Sequence, residues 1–463
     1  MRILLVVYDN GSHIHFFPLG IAYIAASLRK EGCDIEIYHQ DIHHYPEEHL
    51  TDYLNKNKFD IVGVGLQGGY FQYRQLLKIS KAVNTSEERP AYYIIGGAAP
   101  SPEPEYFLKK TGADIAVIGE GEETMVELIH AISDKKPFHA ITGIAYRDGD
   151  QVVVNSERPL IQDIDSIPWP AYDLFLIEYY RLLGYPNSSR TDFAMPVLSA
   201  RGCTFKCNFC YRMDQGYRAR SPEAIIEEIK FLQKQYRISY IDFTDELLMS
   251  SKKRVVELCE AFMKEKLRFK WYCNGRLNYA TPEIVQLMKE TGCVFINYGI
   301  EAFDDEALKK MNKGLTTEQI TKGIEATLNA GISPGFNIIF GNIGESKETL
   351  RKGVEFLLKY NDGAELRTIR PVTPYPGSPL YYYAIEKGLL KDCSDFYENK
   401  HVNSDLLAVN FTDMSDDEFY ECLMDANTTL IENFYKNKLD LMIGDTKNLY
   451  MNRDTSFRGF RTV

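Results

Sequence analysis

The stretch that decides the fold reads Arg201-Gly202-Cys203-Thr204-Phe205-Lys206-Cys207-Asn208-Phe209-Cys210-Tyr211. Its three cysteines have C-x3-C-x2-C spacing and directly follow the apolar run 196–200. Three thiolates on a short loop can each bind one iron of a cubane cluster and leave the fourth iron without a protein ligand. By analogy with zinc, an open metal position distinguishes a catalytic site from a closed structural one. The alternatives are three unrelated buried thiols or a zinc site completed by a distant fourth ligand.

Length and composition indicate a globular protein of two to three domains. The chain has 463 residues, is 44% hydrophobic and 25% charged, and carries a net charge of 53 − 65 = −12. This charge disfavours a nucleic-acid partner held through phosphates. No apolar run is long enough to predict a membrane span. Nine cysteines, unevenly spaced, do not predict a disulfide framework, so a reducing cytoplasm is the expected location.

Residues 1–150 alternate short apolar strands with amphipathic helices, with strands expected at 3–8, 34–38, 61–65, 92–95 and 115–118. This pattern predicts a doubly wound parallel sheet, in which ligands bind beyond the carboxyl ends of the strands. The loops there contain paired glycines, Gly68-Gly69 and Gly96-Gly97, which let a large ligand approach the backbone closely. There is no G-x-G-x-x-G after the first strand, which disfavours a dinucleotide site.

Residues 151–195 form a linker that contains Pro168-Trp169-Pro170, a phrase expected to be stiff and extended. From 196 to 385 longer strand–helix units follow, with strands expected at 197–200, 239–243, 269–273, 295–300, 336–340 and 365–371. Ser221-Pro222 and Thr281-Pro282 predict helix starts, and Thr316 with Gln319 predicts a capping box. Six such units predict a partial (β/α)6 barrel. Its active site would lie at the carboxyl ends of the strands, as in full barrels.

Polar groups should therefore follow these strands, and each strand does supply one. They include Asp245, Glu246, Arg276, Glu301 and Asn337. Helix caps and turn residues could explain any one of them, but not easily all of them beside three clustered cysteines. Residues 386–463 are predicted to be mostly helical, with a capping box at Ser415–Glu418 opening a helix over 419–435. The last residues, 454–463, are expected to be poorly ordered.

The cysteine motif is similar to that of the radical S-adenosylmethionine (SAM) superfamily. The first segment resembles the cobalamin (B12)-binding domain found upstream of many such enzymes, in Pro18-Leu19-Gly20-Ile21-Ala22-Tyr23 and Ile118-Gly119-Glu120-Gly121-Glu122-Glu123-Thr124. Together they resemble the class B radical SAM methyltransferases. One departure is that Asp9-Asn10-Gly11-Ser12-His13 does not match the Asp-x-His-x-x-Gly motif of cobalamin mutases. We therefore expect no protein histidine on cobalt, with His13 near the corrin or the solvent.

The resemblance implies a [4Fe-4S] cluster, SAM and cobalamin as cofactors. It implies that Cys203, Cys207 and Cys210 hold the cluster, while no catalytic residue is assigned. The SAM-binding residues it implies are Phe209, Tyr211, Asp245, Glu246, Arg276, Glu301, Asn337 and Gly341. The cobalamin-binding residues it implies are Ser12, His13, Gln67, Gly68, Gly69, Gly96, Gly97, Glu120, Gly121 and Glu122.

The implied reaction begins with reductive cleavage of SAM to a 5′-deoxyadenosyl radical. The expected outcome is methylation of an unactivated carbon or phosphorus centre of a small molecule, with electrons from a flavodoxin- or ferredoxin-like donor. Two alternatives stay open: a non-methylating oxidative cyclisation or rearrangement, and a cobalamin- or cluster-binding sensor without turnover. The sequence does not predict the substrate.

Overall fold

The structure is a computed structural model that describes residues 1–11, 15–185, 187–189 and 191–457. The chain is a mixed α/β protein built on two large sheets, which confirms the predicted fold class. No helix in these ranges is both long and apolar enough to cross a membrane.

The first sheet has seven strands in the order β2-β1-β3-β4-β5-β6-β7. β1 to β5 are parallel, while β6 and β7 form an antiparallel hairpin at one edge that the predicted five-strand sheet lacks. The strand order reverses between β1 and β3, where ligands bind in sheets of this type. The strands are β1 Arg2–Val7, β2 Asp34–His39, β3 Ile61–Gly65, β4 Tyr92–Gly96, β5 Ile115–Val117, β6 Ile144–Asp148 and β7 Gln151–Val154.

Helices on both faces of this sheet bury its apolar strands. Those between the parallel strands supply the right-handed crossovers that such a sheet needs. They are α1 Leu19–Lys30, α2 Gln40–His43, α3 His49–Lys56, α4 Tyr70–Thr85, α5 Pro104–Thr111 and α6 Gly121–Ser133.

The segment after β7 joins the two sheets and packs against both. Short turns, Ile164–Ser166 and Tyr172–Leu174, interrupt the expected extended linker, and α7 (Ile177–Tyr180) follows. The Ala171 amide donates to the Ala22 carbonyl of α1 at 3.0 Å, and the Trp169 ring lies 5.5 Å from the ring of Phe231. The segment therefore helps to fix the position of one sheet relative to the other.

The second sheet has six parallel strands in the order β15-β14-β13-β12-β11-β8, as expected for a partial barrel. A small antiparallel pair, β9 with β10, lies beside it. The first strand ends at Val197, where it was expected to begin, and the last is much shorter than expected. The strands are β8 Ala194–Val197, β9 Ala200–Arg201, β10 Arg218–Ala219, β11 Tyr240–Phe243, β12 Lys270–Gly275, β13 Cys293–Glu301, β14 Ser333–Phe340 and β15 Arg370–Pro371.

The barrel helices largely begin at their predicted capping residues. Ser221 caps its helix through its side chain, and Thr316 with Gln319 forms the predicted capping box. The prediction for Thr281 was wrong in one respect, because its side chain makes no capping hydrogen bond. These helices are α8 Pro222–Tyr236, α9 Lys252–Lys264, α10 Pro282–Glu290, α11 Asp305–Lys310, α12 Thr317–Asn329 and α13 Lys347–Tyr360.

The C-terminal part is mostly helical and contacts both sheets' domains. Tyr397 stacks on Tyr73 of α4, and Phe419 stacks on Phe340 of β14. The predicted capping box at Ser415 is present, but its helix continues to Met451 instead of ending near residue 435. The elements are α14 Pro379–Glu386, α15 Cys393–Asp395, a π-helical turn Phe396–Lys400 and α16 Asp416–Met451.

Candidate active site

One cavity of about 650 Å³ lies where the carboxyl ends of the two parallel sheets face each other. The first sheet contributes apolar strand residues and glycines, and the second contributes polar side chains at the mouth of the barrel. The volume is within the range of cofactor and ligand pockets. Of the predicted SAM-binding residues Glu246 lines this space, and the cysteine loop adjoins it at Gly202.

The cysteine loop follows β9 and is held in place by backbone contacts. Gly202 has a φ of +81°, and a Cβ atom added there would lie 2.5 Å from the Gly216 carbonyl oxygen. Only glycine fits this close approach without strain. Farther along the loop, the side-chain amides of Asn208 and Asn342 pair at 2.9 and 3.0 Å. The loop is thus anchored at its start and at its middle.

The three cysteines are free thiols with different environments: Cys207 is buried, Cys203 is half-buried and Cys210 is exposed. A hydrogen bond between the Cys207 and Cys210 thiols lowers the pKa of Cys207 to about 6 and raises the pKa of Cys210. The nearby Lys313 and Arg276 cations also favour the Cys207 thiolate. The thiolate is the form that binds metal.

Two buried cations border this loop. The Arg276 guanidinium lies 3.4 Å from the centre of the Phe205 ring and donates to the Gly314 carbonyl at 2.9 Å. The Lys313 ammonium pairs with Glu301 at 2.8 Å and lies 6.0 Å from the Phe209 ring. Glu301 has a φ of +68° beside a register shift in β13. A non-glycine residue in this region is strained, and such strain concentrates at functional sites.

Asp245 and Glu246 are adjacent in sequence but have different surroundings. The buried Asp245 carboxylate accepts the backbone amides of Ser199 at 2.6 Å and Ala200 at 3.0 Å, so it holds the strand that leads to the cysteines. Glu246 faces the cavity, and desolvation there raises the pKa of its carboxyl to about 7. Of the two, only Glu246 has a carboxylate free to reach a ligand in the cavity.

The other SAM-binding predictions fall at separate places around the barrel. Asn337 donates to Asn297 at 2.9 Å, and Asn297 donates to Asn274 at 3.1 Å, which gives an amide ladder across three strands. Gly341 is covered by Phe419, since an added Cβ would lie 2.7 Å from that ring. Tyr211 points to the first domain, where its hydroxyl contacts Ser101.

Glycines of the first sheet line one side of the cavity, which we call the glycine wall, and side chains at several of them would crowd neighbouring residues. A Cβ added at Gly121 would lie 2.7 Å from Ile24 Cδ1, and one at Gly63 would lie 2.8 Å from Leu5 Cδ2. Gly97, with a φ of +99°, would place a Cβ against the Leu66 backbone. Gly96 and Gln67 also line the cavity.

Several predicted cobalamin contacts serve other purposes or lie outside the described residues. The Gly68 carbonyl accepts the Tyr397 hydroxyl of the C-terminal segment at 3.2 Å, and Gly69 is the N-cap of α4. Ser12 and His13 lie outside the described residues.

Glu120 and Glu122 line the cavity, but their carboxylates pair with the residue before the cysteine loop. Arg201 reaches Glu120 at 2.6 Å and Glu122 at 2.5 Å, and Arg218 reaches Glu120 at 2.9 Å. All four side chains are largely buried. Because Arg201 precedes Gly202, this network ties the first sheet's last loop directly to the loop with the cysteines. We call these four residues the Arg201 network.

The sequence analysis missed a polar cluster on the barrel side of the cavity, made by Asp242, Tyr185 and Tyr272. The Tyr185 hydroxyl donates to Asp242, and burial raises the pKa of the Asp242 carboxyl to about 7. His15, whose pKa burial lowers to about 4, packs edge-on against Tyr185. The period-two pattern of Tyr240 and Asp242 in β11, continued by Thr244 just after it, could have placed Asp242 on the inner face.

The residues fit the groups that the sequence implies. The cysteine loop offers three thiols in surroundings that favour a thiolate. A cubane cluster needs its protein ligands on separate irons. Accordingly, no group of three or more His, Cys, Asp or Glu within the described ranges is arranged around a single metal ion. The glycine wall and the apolar strand ends offer a surface for a large planar ligand.

Two family models match the chain, each over one of its two sheets. The B12 binding domain matches residues 12–129, and the radical SAM superfamily matches residues 197–357. The second match begins at the end of β8 and includes the cysteine loop.

Curated relatives extend across most of the chain. An uncharacterized methyltransferase from Pyrococcus horikoshii is 30% identical over 401 residues, which is 84% of this chain and 84% of the relative. An anaerobic magnesium-protoporphyrin IX monomethyl ester cyclase from Rubrivivax gelatinosus is 28% identical over 82% of this chain and 69% of the relative.

A solved structure shares the fold. The radical SAM methyltransferase TsrM from Kitasatospora setae, with cobalamin and a [4Fe-4S] cluster bound, superposes with a TM-score of 0.67. It is 18% identical and the match covers 83% of this chain and 74% of that chain.

Proposed function

The chain belongs to the radical SAM enzymes that carry a B12-binding domain and use a [4Fe-4S] cluster, SAM and cobalamin, and on that premise we propose that it methylates a small molecule. The observation that most supports this proposal is that the glycine wall and the barrel mouth border one cavity. The barrel mouth adjoins the cysteine loop. When bound, the cluster supplies the electron that cleaves SAM and cobalamin supplies the methyl group. A substrate in the cavity would contact both walls.

The chain's own residues would position these groups. We propose that Cys203, Cys207 and Cys210 bind the cluster and that Glu246 accepts the SAM ammonium from the cavity side. Glu301 and Lys313, a buried pair beside the cysteine loop, would contact the rest of SAM. Arg276 would position the loop through Phe205 instead of contacting SAM, because its guanidinium already stacks on that ring.

The glycine wall would bind cobalamin mainly through its shape. Side chains at Gly96, Gly97 and Gly121 would press on cavity-lining residues, so these glycines would keep the wall in the shape that a corrin needs. Glu120 and Glu122 would bind cobalamin only through their backbones, since Arg201 occupies their carboxylates.

We propose that the substrate contacts Asp242, Tyr185 and Tyr272. This cluster lines the cavity, and the Tyr185 hydroxyl donates to the Asp242 carboxyl. A substrate group that replaced this tyrosine as the donor would pair with a carboxyl at the cavity wall. A substrate hydroxyl or amine is such a group.

An electron donor is required by radical SAM chemistry, and we propose a flavodoxin- or ferredoxin-like protein in that role. The exposed Cys210 supports a reducing location such as the cytoplasm, because an exposed ligand thiol would otherwise oxidise.

Methyl-labelled SAM tests the proposal. The reconstituted enzyme would be incubated anaerobically with SAM carrying a ¹³C methyl group, a chemical reductant and a bacterial metabolite extract. The expected result is a labelled small molecule, formed together with 5′-deoxyadenosine and absent with Cys207→Ser. Products without the label would contradict methylation.

Oxidative cyclisation is the second candidate, and the 28% identical cyclase favours it. It predicts 5′-deoxyadenosine and a product two hydrogen atoms lighter than its substrate, with no label. The same incubation therefore separates the two functions by mass.

A further inference from the structure

The last helix, α16, extends far beyond the body of the protein. Its first half is packed, with Phe419, Leu423, Ala426, Leu430 and Phe434 buried. Among the described residues of the helix, none after Phe434 is buried, although the helix continues to Met451. Most helical stability in proteins comes from packing of an apolar face, so the projecting half is expected to gain stability from a partner.

An apolar stripe runs along both halves of α16 on the side away from the buried residues. At 100° per residue its members fall within an arc of about 80°. Successive members are seven, four, four, three and seven residues apart, so they keep to one side of the helix, and the polar Thr428 and Thr446 occupy the two skipped positions. The stripe consists of Met424, Ile431, Tyr435, Leu439, Met442 and Leu449.

The stripe is accessible over its whole length. Met424 is 61% exposed, Tyr435 59% and Leu439 56%, and Met442 and Leu449 are half-buried. An exposed apolar stripe that continues from the packed half into the projecting half offers one continuous surface, which is typical of an interaction site.

Charges along one flank of the stripe change sign from end to end. The flank is acidic before Tyr435, at Glu421, Asp425 and Glu432, and basic on balance after it, where Lys436 and Lys447 outnumber Asp440. Within the described ranges none of these six side chains forms an ion pair. In an antiparallel helix pair the same flank of both helices comes together, so the acidic end of one would face the basic end of the other. A parallel pair would not bring this flank against itself.

We propose that α16 is the docking surface for a second copy of this chain, with two α16 helices paired antiparallel across a twofold axis near Tyr435. Because the charge order is self-complementary, the surface matches the same surface on a second copy of the chain, as in isologous dimers. This inference goes beyond the proposed function and does not depend on it.

The mass of the full chain in solution tests the proposal. Light scattering or sedimentation of the anaerobically purified protein is expected to give twice the mass of one chain. Leu439→Glu is expected to shift the protein to a monomer with at least tenfold weaker association. Leu441→Glu is the matched control, because Leu441 is 69% exposed on the same half of the helix but lies off the stripe.

A charge exchange tests the direction of pairing. Asp425→Lys and Lys447→Glu are each expected to weaken the dimer several-fold, and the double variant to restore it. A monomeric wild-type chain, a dimer that survives Leu439→Glu, or a double variant weaker than both single ones would overturn the proposal. So would a monomer that co-sediments with phosphatidylglycerol vesicles, since the stripe would then serve a membrane surface.

Discussion

The two walls of the cavity are built from the same kind of parallel sheet but recognise ligands in different ways. The first sheet ends in glycines and apolar side chains, where Gly97 and Gly121 leave space. The second ends in charged and hydrogen-bonded groups such as Glu246 and Asp242. The first wall therefore selects by shape and the second by charge and direction. Isosteric substitutions should therefore change ligand recognition strongly only at the second wall.

The largest effect is expected from removing one of the proposed cluster ligands beside the charged wall. Cys207→Ser should lower the bound iron from four per chain to nearly none and leave cobalt binding unchanged, because the glycine wall does not involve this residue. Metal analysis after anaerobic reconstitution checks this. Cys33→Ser, which changes a half-buried thiol in the first domain, is the control and should retain all the iron.

The Arg201 network joins the two walls, so breaking it should affect both. Arg201→Gln leaves Glu122 buried without its cation and Glu120 with Arg218 alone, and should lower the free energy of unfolding by about 3 kcal/mol. Denaturant unfolding measures the loss. Adding Glu122→Gln should recover part of it by removing one uncompensated charge. If the double variant is no more stable than the single one, the carboxylates are not the reason for the loss.

Filling the glycine wall should weaken cobalamin binding alone. Gly121→Leu is expected to reduce cobalamin affinity by about tenfold, or ~1.4 kcal/mol, with iron content unchanged. Gly444→Leu is the control, since Gly444 is also helical but has nothing within 4 Å of an added Cβ. Equal cobalamin binding by both variants would mean that the ligand does not use this wall.

The smallest effect concerns the pH dependence of stability and tests the charged wall. Burial raises the folded-state pKa of Asp242 to about 7, so the folded protein holds this proton more tightly than the unfolded chain. Its contribution is fully present below the unfolded pKa and is lost as pH rises through 7. The wild type should therefore lose about 1 kcal/mol between about pH 6 and pH 8 relative to Asp242→Asn. Urea unfolding across that range measures the difference, and parallel curves would contradict it.

The sequence predicted the elements well because their signals are local. Apolar runs located most strands of both sheets, although not the β6–β7 hairpin and not the start of β8. Ser221, Thr316 and Ser415 marked helix starts that the structure confirms. The cysteine motif lies within one loop, so it could be recognised without knowing how distant parts of the chain pack.

The remaining features depend on contacts between distant parts of the chain. Glu120 was expected to contact cobalamin, yet Arg201, which lies 81 residues later, takes its carboxylate. Tyr185 gave no signal as a partner of Asp242, because the pairing depends on how the connector packs against the barrel. Likewise, no helix-ending residue stops α16 at residue 435, since Gly444 is tolerated within it.

The central claim is that the two walls hold a cluster and a cobalamin in one enzyme. Its most direct test is the metal content of the wild-type chain after anaerobic reconstitution with iron, sulfide and hydroxocobalamin, followed by removal of unbound metal. We predict four irons and one cobalt per chain. Four irons without cobalt, or cobalt that Gly121→Leu retains in full, would contradict the account.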